Sequence, residues 1–106
     1  MISDKRVEQA VRYLAETDKE HARLKAEYKA KEALTKTIIG FEFNDAQGAV
    51  EARRQAAYSS QAYIDHIEQL KKLEVELQEI WNKRQTETVI IDLYRTLSAN
   101  QRKGNI

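Results

Sequence analysis

Apolar residues return at steps of three and four along most of this chain. In the first half Val7, Ala10, Val11, Leu14, His21, Leu24, Tyr28, Leu34, Ile38 and Phe41 hold that spacing, which sets them on one side of a helix. Other faces carry Glu8→Arg12, Glu27→Lys31 and Glu32→Lys36, opposite charges one turn apart that support helix formation. Ser3 is placed to accept the first free N–H groups, and Asp4 stands where the helix dipole favours an anion. The pattern predicts one amphipathic helix over about residues 4–43, with a partly polar seam where Thr17, Asp18 and Lys31 interrupt the stripe.

Punctuation is sparse, because the chain has no proline and three glycines. Asn44-Asp45-Ala46-Gln47-Gly48 groups turn formers, so a reversal is expected over 44–48, with Asn44 or Asp45 capping the next helix. That helix, short and weakly apolar over about 49–58, carries Val50, Ala56 and Ala57, with Arg53 and Arg54 outward. Ser59-Ser60 then offers a second N-cap and a break. A last helix over about 60–101 is built on Tyr63, Ile64, Ile67, Leu70, Leu73, Leu77, Ile80 and Trp81, with Glu68→Lys72 and Glu79→Lys83 as charge pairs.

The run from Val89 to Tyr94 is rich in β-branched residues and would suit a strand. A lone strand has no partner, however, and Ile90, Ile91, Tyr94 and Leu97 keep the helical spacing. The fold expected is all-α, a long antiparallel helical hairpin with a break near residue 59, within one domain of 106 residues. Near its end the apolar stripe widens beyond what two helices can cover. Trp81, Ile90, Ile91, Tyr94 and Leu97 are therefore expected to form an oligomer interface, the hairpins assembling into a helical bundle or coiled coil.

Charge removes several function classes. Lys and Arg number 18 against 17 Asp and Glu, which suits neither an acidic nucleic-acid mimic nor a strongly basic nucleic-acid coat. Without cysteine there is no disulfide framework, thiolate metal site or thiol nucleophile. The N-terminal stretch has no apolar signal-peptide region, and no run approaches the roughly 18 apolar residues of a membrane span. A cytoplasmic protein without a membrane partner is expected.

Candidate chemistry is thin. Asp18 and His21 lie one turn apart, with Asp65 and His66 on the second arm, so a carboxylate-bridged metal between helices is conceivable. The di-metal bundle pattern needs Glu-x-x-His on two helices, which this chain lacks. His21 fits better as a hydrogen-bonded seam residue, and His66 as a surface residue. Ser3, Ser59, Ser60 and Ser98 stand in no nucleophile elbow, and the glycines are too far apart for a phosphate loop. No catalytic, cofactor-binding or metal-ligating residue is therefore assigned, and an enzyme is not expected. The C-terminal end is mildly basic: Lys83, Arg84, Arg95, Arg102 and Lys103 face only Glu87 and Asp92 in the last 25 residues. Arg84, Arg95, Arg102 and Lys103 are the candidate nucleic-acid contacts, although cations also complement a helix C-terminus.

The stretch from Gly48 to Tyr58, then Tyr63, then Ile90-Ile91-Asp92-Leu93-Tyr94-Arg95-Thr96-Leu97-Ser98-Ala99-Asn100-Gln101-Arg102, resembles a family of short, helical, largely uncharacterised proteins of tailed phages and prophages. The similarity covers mainly residues 48–102 and rests on a Val-x-x-Arg start and an Ile-x-x-aromatic-Arg-x-Leu-x-x-Asn-x-Arg end. Tyr94 stands where tryptophan is usual, and Gln101 where a second arginine is. The resemblance implies an accessory role near phage recombination or replication, in a bacterial cytoplasm. The expected function is a non-enzymatic homo-oligomer that presents helical faces to a protein partner of unknown identity. Direct nucleic-acid binding through the basic end is the alternative, and a metal-dependent enzyme at Asp18 and His21 the remote one.

Overall fold

A computed structural model describes residues 1–104. Four helices succeed one another, α1 (Asp4–Ala33), α2 (Thr35–Asp45), α3 (Val50–Tyr58) and α4 (Gln61–Gly104), and no strand occurs among the described residues. The fold is all-α, as the three-and-four spacing requires. Residues 89–94 are helical throughout, so the packing of Ile91 and Tyr94 overrides the weak strand preference of β-branched side chains.

The helix expected over about 4–43 is divided at Leu34. Its N–H turns to Lys31 O at 3.1 Å, three residues back, before the ladder resumes with Ile38 N to Leu34 O at 3.0 Å. Thr35, Thr37, Ile38 and Ile39 come immediately after, and β-branched side chains crowd the preceding turn of a helix. Ser3 opens α1 as expected, its hydroxyl accepting the Arg6 N–H at 3.1 Å. Ser60 opens α4 in the same way, accepting the Tyr63 N–H at 3.2 Å, while its own hydroxyl donates to Ala57 O at 2.7 Å. The break near residue 59 lies between these two bonds.

The reversal at 44–48 departs from expectation in its cap. Neither Asn44 nor Asp45 caps α3. Ala49 holds the N-cap position in extended conformation with no side-chain bond, and Gly48 supplies the turn with φ of 112°, a value that side chains resist. Arg53 is not outward either. Its Nε donates to Phe43 O at 3.1 Å and its guanidinium lies 4.3 Å from the centre of the Phe43 ring, fastening α3 to α2.

The chain gathers into two compact units. One comprises Met1–Ala22 with the described residues from Gln78 on, and the other comprises Arg23–Leu77. In the first, the start of α1 runs antiparallel to the end of α4. In the second, α2 packs on α3 and Thr35 at the head of α2 reaches His66 on α4. Burial is sparing in both. Ala10, Leu24 and Ala57 are the buried apolar residues, and no large side chain is completely buried among those described.

Candidate functional site

The helix faces that touch are built from the inner seam of each helix. On α4 the less exposed positions recur at alternating steps of three and four, among them His66, Leu70, Leu73, Leu77, Ile80, Arg84, Glu87, Ile91 and Tyr94. That is the spacing of a helix packed lengthwise on another. Polar members of the series are all partnered across the seam.

In the first unit Arg6 of α1 grips Glu87 of α4 with both nitrogens, at 2.7 and 2.9 Å. Glu87 is 6 % exposed. The hydrogen bonds from Arg6 hold its carboxyl below the usual carboxylate range despite the opposing effect of burial, and the carboxylate in turn holds the proton on Arg6 more firmly. One turn earlier Arg84 donates to Leu14 O at 2.8 Å and Thr17 Oγ1 at 2.7 Å, with Asp18 at 3.5 Å. Thr17 Oγ1 in turn donates to Tyr13 O at 2.7 Å, and Lys83 stands 4.5 Å over the Tyr13 ring. At the far end the Tyr94 hydroxyl donates to Asp4 at 2.5 Å, which raises the phenol above its ordinary value.

In the second unit His66 Nε2 and Thr35 Oγ1 share a hydrogen bond of 2.8 Å, and His66 is 5 % exposed. The expectation of a surface histidine is corrected here, because residue 66 falls on the inner series of α4. Tyr58 and Tyr63 meet edge to face across the break, with ring centres 5.2 Å apart. Tyr28 is held protonated to higher pH, first by the carboxylate of Glu32 that accepts its hydroxyl.

The residues singled out from the sequence differ in their surroundings. Tyr94 meets α1 through its bond to Asp4, and Ile91, half-buried, repeats the spacing of Glu87 and Tyr94 on α4. Trp81 and Leu97 are 46 and 39 % exposed, Val89 61 % and Leu93 47 %, and Ile90 is half-buried. Of the four candidate nucleic-acid contacts, Arg84 is spent within the seam, its side chain 18 % exposed, because its position repeats that of Ile80 and Glu87. Arg95, Arg102 and Lys103 are exposed.

For metal chemistry, Asp18 is occupied by Arg84 and His66 by Thr35. Among the described residues no three His, Asp or Glu side chains converge to hold an ion. A shallow cleft of about 250 Å³ lies between the N-terminus and the end of α4, with Ile2, Tyr94 and Leu97 in its wall. Among the described residues no helix is long and apolar enough to cross a membrane. No family model, no curated protein and no solved structure matches the chain.

Proposed function

We propose that the chain is a non-enzymatic helical accessory protein that works as a homo-oligomer and presents helical faces to a protein partner. The observation that carries this reading is the distribution of apolar surface. Among the described residues the buried apolar ones are Ala10, Leu24 and Ala57, while Phe41, Val89 and Val50 stand 72, 61 and 60 % exposed. Apolar surface left in water forgoes about 25 cal/mol per Å², and helix-on-helix association recovers it. The polar groups of the seam are spent on one another, which suits a scaffold better than a reaction centre. Phage recombination or replication in a bacterial cytoplasm is the setting that the sequence resemblance implies.

Light scattering across micromolar concentrations tests the oligomer. A mass above that of one 12.3 kDa chain is expected, and a monomer throughout would overturn the reading. Direct nucleic-acid binding is the competing reading, favoured by the exposure of Arg95, Arg102 and Lys103. Cations in the last turn also complement the helix dipole. DNA titration separates the two readings. Sub-micromolar affinity at physiological salt, lost when all three residues become alanine with a salt slope reduced by roughly 0.7–0.9 per lost contact, would replace the adaptor by a nucleic-acid binder. No measurable binding is expected.

A further inference from the structure

Opposite the seam with α1, a second series on α4 runs at alternating steps of four and three: Asn82, Thr86, Val89, Leu93, Thr96 and Asn100. All six are exposed. The spacing is that of the paired positions of a coiled coil, and it lies about half a turn away from Arg84, Glu87 and Tyr94, which face α1. The series holds no charge, although 33 % of the chain is charged. Lys83, Arg84, Glu87, Asp92 and Arg95 all fall on other positions.

The series also reads alike in both directions about Ile91. Val89 and Leu93 lie two residues to either side, Thr86 and Thr96 five, and Asn82 and Asn100 nine. Twelve residues out, the next positions are Glu79 and Lys103, both exposed and opposite in charge. The two threonines are prepared for burial in the same manner. Thr86 Oγ1 donates to Asn82 O at 3.1 Å and Thr96 Oγ1 to Asp92 O at 3.0 Å. Their hydroxyl protons are satisfied within the helix, so covering them strands no donor.

We infer that this face binds a second copy of the chain, with the two α4 helices antiparallel about a two-fold axis at the level of Ile91. The inference rests on the homo-oligomer reading and assigns it a surface and an orientation. Antiparallel pairing sets Val89 against Leu93 of the other copy, Thr86 against Thr96 and Asn82 against Asn100. It also brings Glu79 to Lys103 at both ends. Parallel pairing would oppose Glu79 to Glu79 and Lys103 to Lys103, and like charges in register disfavour it. The two-fold arrangement makes the contact self-complementary and closed.

The chain has no cysteine, so single introduced thiols report the pairing. Thr86→Cys and Thr96→Cys proteins are treated with a short thiol cross-linker, each alone and after mixing. Covalent dimers are expected from the mixture and not from either alone. Dimers from each protein alone would show parallel pairing and overturn the inference. A wild-type oligomer that yields no cross-link in any sample would overturn the seam while leaving the homo-oligomer reading intact, and a monomeric wild type would overturn both. Leu93→Asp provides a second check, because Leu93 is 47 % exposed in the single chain and helix content should survive. The dissociation constant should rise by about a hundredfold or more, on the scale of losing a central interface residue in both copies. Unchanged association would overturn the assignment.

Discussion

Leu24 is the largest of the buried apolar residues, 3 % exposed, and its truncation measures how much this thin core contributes. Leu24→Ala removes three carbons, worth about 0.8 kcal/mol each on transfer, or roughly 2.4 kcal/mol. A cavity term adds to this, but a core with no completely buried large side chain among the described residues has room to relax around the gap. The better helix propensity of alanine returns only a few tenths of a kcal/mol. The net cost should therefore fall at about 2.5–3 kcal/mol, in the lower part of the range for such truncations. Urea unfolding monitored at 222 nm, at one fixed protein concentration, reads it directly. With a denaturant slope of about 1–2 kcal/mol per M for a chain of this size, the midpoint should drop by roughly 2 M. Val75→Ala, at a position 56 % exposed, is the control and should cost no more than about 0.5 kcal/mol. A Leu24→Ala cost no larger than that of the control would refute the burial argument.

Three other substitutions address local structure. Gly48→Ala places a side chain at φ of 112° with Ala52 Cβ in ordinary contact at 3.6 Å, so the cost, about 1–3 kcal/mol, is backbone strain alone and reads as a lowered urea midpoint. Ser60→Ala deletes the N-cap of α4 and should cost about 0.5–2 kcal/mol in the same assay. Glu87→Gln addresses pH. The carboxyl of Glu87 titrates below its usual 4.5 when folded, so its ionised form contributes stability that is fully present above that value and is lost as pH falls through the lower folded value. The stability gap between wild type and Glu87→Gln should stay constant from neutral pH to about 5 and shrink at more acid pH; a gap that widened on acidification would contradict the pairing with Arg6.

Much of the fold is legible because the apolar period is unbroken by proline. The caps at Ser3 and Ser60 and the break between α3 and α4 arise from local chemistry that a sequence displays. The division at Leu34 is less visible, because a run of threonine and isoleucine lowers helix propensity without forbidding the helix. The polar members of the seam are the hardest to place. Arg84, Glu87 and His66 look like solvent-facing residues by type, and only their registration with Leu77, Ile80 and Ile91 marks them as inner. Charge alone makes Arg84 a phosphate contact, whereas the carbonyl of Leu14 and the hydroxyl of Thr17 occupy it. The symmetric outer series on α4 is equally open to reading, but threonine and asparagine do not register as a stripe until the inner face is known.

The central claim, that the outer face of α4 is covered by a second copy of itself, is tested most directly by isotope-filtered NMR on a mixture of labelled and unlabelled chains. Antiparallel pairing predicts intermolecular contacts between the methyl groups of Val89 in one chain and those of Leu93 in the other. An oligomeric sample that shows no such contacts, or one whose intermolecular contacts place Leu93 away from Val89, would contradict the account.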